Sequence, residues 1–261
     1  MSDSVLYSVS DGVATILLNR PAVMNALDTA TIVQLRVACE RAEQDAAARA
    51  VVLRGAGAAF LAGGDVSFFH ANLPRMPELV RQGGAELHHA ILALRRAPKP
   101  VLASVHGTVA GAGVSLMAAA DLALAAEGTK FMLAYSRIGT SPDGGATYFL
   151  PRLVGSRKAL ELMLLSDAVD ARDALRIGLV NWVVGTERLA AETEAIARRL
   201  AQGATLAFAE TKRLVDQTHD QALAAQLNAE VEAFARCAAT RDFAEGVTAF
   251  VEKRKPLFNG K

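Results

Sequence analysis

From Val101 to Ala120 the chain carries no Asp, Glu, Lys or Arg. An uncharged apolar run of ~20 residues must either cross a bilayer or be buried on all sides in a large core. The run also holds His106, Thr108, two serines and the glycines Gly107, Gly111 and Gly113. That mixture suits a strand, a glycine turn and a helix, all buried, and no membrane span is expected. With 261 residues, 52% of them hydrophobic, the chain is long enough to enclose such a unit in one large domain.

Similar units recur along the sequence. "VLYSVSDGVATILLN" alternates apolar and polar residues around Asp11-Gly12 and predicts an antiparallel hairpin. Thr29 to Ala47 has helical periodicity, "AVVLRG" at 50–55 reads as a buried strand, and "GAGAAFLAGGDVSFF" as a turn entering a helix. His88 to Arg96 is helical and ends at Pro98 and Pro100. Then come a strand at 101–105, a glycine turn, a helix at 111–119, strands at 121–125 and 130–133, and a helix from Ser156 to Leu165. A strand is expected at 178–184. Beyond Glu187 the pattern is helical throughout, at 187–202, 204–217, 219–238 and 241–253. The division implied is a mixed core over 1–190 and a helical region over 191–261.

Charge narrows the partners. Lys and Arg number 28 against 27 Asp and Glu, so there is no basic excess of the kind nucleic acid requires. Cys39 and Cys237 lack metal spacing and suit a reducing, cytoplasmic setting. The N-terminal "MSDSVLYSVSDGVATILLNR" lacks the pattern of a signal peptide. His70, His88, His89, His106 and His219 form no metal-binding pair, so no metal is expected.

Three stretches could carry chemistry. In "FLAGGDVSFF" (60–69) a Gly63-Gly64 turn runs into a helix and leaves backbone N–H groups that could hold an oxyanion, or simply a helix start capped by Asp65 or Ser67. "HGTVAGAGVSLMAAAD" (106–121) is a second such turn; it lacks the Lys-Ser/Thr ending of a phosphate loop. In "SRIGTSPDGGATYF" (136–149) a single acid, Asp143, lies in a glycine-rich turn. It is either a turn residue or a proton-transferring group.

The order of "VATILLNRPAVMNAL", "GAAFLAGGDV", "PKPVLASVHGTVAGAGVSLMAAADLALAA", "IGTSPDGGATYFLPRLVG", "ALELMLLSDAVDARDALRIGLVNWVV" and "FVEKRKPLF" resembles the crotonase, or enoyl-CoA hydratase/isomerase, superfamily over residues 5–258. The resemblance implies an α/β crotonase (ClpP/crotonase-like) fold, a spiral of ββα units with a C-terminal helical region that forms trimers or dimers of trimers. It implies an acyl-CoA substrate, with coenzyme A arriving as part of it and no tightly bound cofactor. By motif position the oxyanion donors are the N–H groups of Gly64 and Ala112. Coenzyme A would lie against Met24, Ala26 and Leu27 and against Ala62, Gly63, Asp65 and Val66, with Arg20 and Lys253 as candidates for its phosphates.

The same comparison exposes departures. Hydratases of the family hold a water between two glutamates; those positions here are Ser115 and Tyr135. Relatives with an acid at Asp143 use it in catalysis. The ring-epoxide isomerases of phenylacetate degradation share the "PDGG…LPRLVG" run. The 4-chlorobenzoyl-CoA dehalogenases place a nucleophilic aspartate there, with a tryptophan at the position of Tyr135 and a histidine at that of His88. The expectation is therefore an enoyl-CoA isomerase. Asp143 would move the proton, shielded by Ile138, Tyr148, Phe149 and Leu150, and Ser115, Tyr135 and His88 would line the pocket. A hydratase using Asp143 and water, and a non-catalytic acyl-CoA binder, are the alternatives.

Overall fold

A computed structural model describes residues 3–261. Val5–Ser10 (β1) and Val13–Leu18 (β2) form the expected hairpin. Asp11 and Gly12 at its tip have φ of 50° and 76°, the left-handed turn that matches the twist of paired strands. Next come helix α1 (Thr29–Gln44), whose first turn is capped by the Asp28 carboxylate on Thr31 N, and strand β3 (Ala50–Gly55). Helices α2 (Val66–Ala71) and α3 (Met76–Arg96) precede strands β4 (Val101–Val105) and β5 (Thr108–Ala110). Helix α4 (Ala112–Ala118) leads to β6 (Leu122–Ala126) and β7 (Lys130–Met132). Then follow α5 (Ala146–Val154), α6 (Ser156–Leu165), β8 (Val169–Asp170), α7 (Ala171–Arg176) and β9 (Trp182–Val184). The chain ends in α8 (Leu189–Ala201), α9 (Thr205–Gln217), α10 (Leu223–Ala238) and α11 (Arg241–Val251).

Among the described residues the strands form two sheets. The larger runs β1-β2-β3-β4-β6-β9, parallel from β2 onward, and the smaller runs β5-β7-β8. Each ββα unit steps from the large sheet to the small one and then into a helix. Gly107 makes the step from β4 to β5 at φ 60°, and a Cβ there would meet the Ala58 carbonyl at 1.9 Å. Every residue of β4 is buried, as is all of α4, which accounts for the uncharged run at 101–120. No described helix is long and apolar enough to cross a membrane.

The pattern differs from expectation most at α3, β9 and α5, and the short elements β5, β8 and α7 were not expected either. Helix α3 starts at Met76, twelve residues before the expected start, passing through Gly83 where it packs against Ile32 of α1. The strand expected at 178–184 shrinks to β9, because Gly178 to Val180 close the turn after α7. Helix α5 was not expected at all.

The helical region is joined to the core by a cluster of charges. Asp121 accepts hydrogen bonds from Val101 N (2.8 Å), Arg95 (3.0 Å) and Lys212 of α9 (2.9 Å), and Arg95 also pairs with Asp216 of α9. Lys212 is nearly inaccessible, and burial pushes its ammonium below its usual range. Helix α8 spans the 190/191 position and packs on the large sheet, where Thr193 bonds Ser104 at 2.7 Å.

Candidate active site

Two main-chain turns adjoin at the mouth of the ββα units. The first begins in the loop after β2. Asn25 is buried, with φ 60°. It donates through Nδ2 to the carbonyls of Ala56, Ala59 and Phe60 and accepts from Arg20 N. That anchor aligns the loop with residues 62–65. Ala62 N donates to Met24 O (3.0 Å), Leu27 N to Gly63 O (2.8 Å) and Asp65 N to Leu27 O (2.9 Å). Met24, Ala26, Leu27, Ala62, Gly63, Asp65 and Val66 are thereby brought together, with Met24 and Val66 exposed.

In this ladder the N–H of Gly64 points away from Leu27. Among the described residues no protein group accepts from it. Asp65 caps α2 through Phe68 N and pairs with Arg20 at 3.4 Å, while Arg20 also pairs with Asp28. Arg20 therefore clamps the loop, pairing with two carboxylates.

The second turn is 110–113. Gly111 has φ 48° and ψ −120°, a conformation closed to side chains, and it starts α4 at Ala112. Ala112 N is a first-turn donor with no acceptor among the described residues. Ala110 N bonds Leu61 O at 2.9 Å, and a Cβ on Gly63 would lie 3.0 Å from Ala110 O. The turns carrying Gly64 and Ala112 are thus in contact, each with a free N–H.

Beside them lies a hydroxyl–carboxylate cluster. Tyr135, from a short 3-10 turn (Tyr135–Ile138), donates to Asp143 Oδ1 at 2.7 Å. Ser115, fully buried in α4, donates to the Asp143 carbonyl at 2.9 Å and lies 3.1 Å from the Tyr135 hydroxyl. Burial, reinforced by the adjacent Asp143 charge, holds the Tyr135 phenol far above its ordinary range, so it remains a proton donor at neutral pH. A Cβ on Gly144 would touch Ser115 Cβ at 3.0 Å and Leu87 of α3 at 3.4 Å, so this turn approaches α3 and α4 more closely than a side chain would permit.

The shielding expected around Asp143 is only partly present. Leu150 is buried, but Ile138 is 51% exposed, Tyr148 is 44% exposed, and Asp143 is itself exposed in the single chain. The reason is local: α5 turns Tyr148 outward, where Arg152 stacks on its ring at 3.5 Å. His88 lies on α3 beside Leu87 but is exposed, with no hydrogen bond to the cluster. Lys253 is exposed at the end of α11, and no contact joins it to the 62–66 turn.

Arg20 and Asn25 are the organisers that motif reading underrated. The signal for Asn25 was its place between a proline turn and the start of α1, where a left-handed residue that can also hydrogen-bond is favoured.

The arrangement pairs two unengaged N–H donors with one carboxylate, the constellation that stabilises an enolate formed by proton removal. Comparisons with known proteins agree with it. The enoyl-CoA hydratase/isomerase family model matches residues 8–261. A Rhodobacter capsulatus protein named as a probable enoyl-CoA hydratase is 39% identical, with 99% of this chain and 98% of that protein covered. The 1,2-epoxyphenylacetyl-CoA isomerase of Escherichia coli is 34% identical over the full length of both chains. A crystal structure of an enoyl-CoA hydratase from Polaromonas sp. JS666 superposes with a TM-score of 0.93 at 33% identity, covering 98% of this chain and 99% of that one. With its spiral of ββα units and its C-terminal helices, the chain is a crotonase-fold member of the enoyl-CoA hydratase/isomerase family.

Proposed function

We propose that this chain is an enoyl-CoA isomerase in which Asp143 moves a proton between the α and γ carbons of the acyl chain. The Gly64 and Ala112 N–H groups hold the thioester oxygen as the negative charge develops. One observation carries this reading. Both hydroxyl hydrogens at the positions where a hydratase would place its glutamates are directed at Asp143, one to Oδ1 and one to its carbonyl. Neither is left to orient a water, and Asp65, the other nearby acid, is engaged by Arg20 and the α2 cap. A single base suits proton transfer between carbons; adding water across a double bond calls for an acid and a base acting on one water.

Coenzyme A fits the junction of the 23–27 loop with residues 62–66. Lys253 reaches a phosphate only in an assembled oligomer, a homotrimer or a hexamer of cytoplasmic location. The exposed Phe250 and Val251 of α11 and Val231 and Phe234 of α10 favour such an assembly.

The second reading is a hydratase in which Asp143 activates water. Its support is the exposure of Asp143 and the hydratase names among the relatives. A paired assay with 3-enoyl-CoA and 2-enoyl-CoA substrates, read by mass, tests the choice. The expected result is a moved double bond at unchanged mass. A gain of about 18 Da, one water, would overturn the isomerase reading. Asp143→Asn should lower turnover about 10²- to 10⁴-fold, the usual share of a general acid–base group. Unchanged acyl-CoA binding in that variant, with no turnover in the parent, would identify a binder.

A further inference from the structure

Asp143 has one carboxylate oxygen engaged and one free. Oδ1 accepts the Tyr135 hydroxyl at 2.7 Å, and among the described residues nothing donates to Oδ2 and no ion pair reaches the carboxylate. The main chain of Asp143 is held as well, by the Ser115 hydroxyl on its carbonyl.

Tyr135 in turn cannot swing. Its short turn is pinned to the end of α6 by the Ser136–Ser166 hydroxyl pair at 2.7 Å and by Arg137 donating to Ser166 O at 2.8 Å. Ser115 lies inside α4, where every residue is buried. Three contacts therefore share two hydroxyl hydrogens. With Asp143 ionised both go to Asp143, and the 3.1 Å Ser115–Tyr135 contact is left without one.

We infer that Tyr135 and Ser115 are positioning residues that make Oδ2 of Asp143 the sole proton-accepting atom, so that one oxygen removes the proton and returns it on the same face of the acyl chain. The inference rests on the isomerase reading of Asp143. In the first half-step the C2–H bond breaks, an Oδ2–H bond forms and the electron pair enters a dienolate held by Gly64 and Ala112. In the second the Oδ2–H bond breaks, a C4–H bond forms, the double bond settles between C2 and C3, and the carboxylate is regenerated. No other reactant is consumed.

The experiment uses 3-hexenoyl-CoA carrying deuterium at both C2 positions, with product isotopes read by mass. Transfer by one oxygen keeps the second deuterium at C4; exchange with solvent loses it. The parent enzyme should give a doubly labelled fraction. Tyr135→Phe preserves the ring but frees Oδ1. That fraction should fall at least twofold and kcat about tenfold, with KM within about twofold, the pattern of a group that acts on the transition state. Ser115→Ala should move both in the same direction by less, and a thermal melt of each variant excludes unfolding as the cause.

A folded Tyr135→Phe enzyme with parental kcat and parental label retention would overturn the inference alone, as would a parent enzyme that isomerises but yields no doubly labelled product. An Asp143→Asn enzyme that still isomerises at the parental rate would overturn the proton-shuttle role of Asp143 beneath it.

Discussion

The turns at 62–66 and 110–113 are fixed by main-chain contacts, whereas the turn that carries Asp143 is fixed by two hydroxyl side chains. In the first pair, carbonyls and N–H groups of neighbouring segments bond one another, and a Cβ at Gly63 or Gly113 would collide with the main chain. In the second, one hydroxyl oxygen each from Tyr135 and Ser115 holds the Asp143 carboxylate and carbonyl. Donors made of backbone accept wide changes of side chain but almost no change of shape. An acid held by side-chain hydroxyls is sensitive to single atoms in addition to the shape that Gly144 imposes on its turn. Relatives can therefore share the donor turns and differ in reaction.

The largest effect should come from breaking the backbone region by shape. A Cβ on Gly113 would stand 2.3 Å from the Leu61 carbonyl, which is main chain and cannot yield. Gly113→Val should cost more than about 3 kcal/mol, at the upper end of overpacking effects, and a chemical-denaturation curve would show it as loss of the folded baseline. A parental midpoint would mean that the two turns are loosely held.

Next is the donor itself. Ala112 is the first helical residue after a glycine, a place where proline fits. Ala112→Pro deletes the N–H with little other change and should lower kcat about 10²- to 10³-fold, the effect of losing one oxyanion donor, while the melting temperature stays close to the parent's. A fully active variant would remove Ala112 from the oxyanion site.

A smaller effect is expected at the clamp. Arg20→Met leaves Asp28 and Asp65 facing each other without their shared cation. KM for the acyl-CoA should rise roughly 3- to 10-fold through a loosened 23–27 loop, with kcat little changed. A fall in kcat without a change in KM would place Arg20 in the chemistry instead.

The smallest effect lies inside the helical region, where Glu210 of α9 pairs with Arg236 of α10. Arg236, and then Arg213, hold the Glu210 carboxyl at about 2, below its ordinary 4.5. The folded state binds that proton later than the unfolded one. This contribution is complete above about pH 4.5 and is lost as pH falls toward 2. Glu210→Gln should lower the melting temperature by a few degrees at pH 6 and by much less near pH 2.5. An equal deficit at both values would show that the ion pairs contribute nothing.

The elements legible in the sequence are those with a strong local signal. Asp11-Gly12 between alternating strands gave the hairpin, and Ser156 to Leu165 gave α6 residue for residue. Helix α5 was hidden because Gly144 and Gly145 precede it and Pro151 lies inside it; the turn before it is placed by the close approach of Gly144 to α3 and α4, and its N-cap Gly145 has φ 82°. Gly83 and Gly84 masked the first half of α3, since glycine is a poor helix former in a helix interior. At the candidate site, Gly64, Ala112 and Asp143 came forward from the motifs, and the turns that carry them are adjacent in the fold. The bond from Tyr135 to Asp143 did not come forward, because it joins residues eight apart whose meeting depends on how a 3-10 turn and a glycine turn fold back on each other.

The order of the large sheet, β1-β2-β3-β4-β6-β9, has a consequence for synthesis. Each strand lies next to one already made, so a growing chain meets a finished edge at every step and never waits for a strand still to be translated. Lys212 and Asp216 on α9 come after the whole sheet and lock onto Arg95 and Asp121, residues made about a hundred positions earlier. A ribosome-bound chain halted just after β9 should already hold a paired sheet, and should lack the cover of α8 and the charged latch that joins α9 to it.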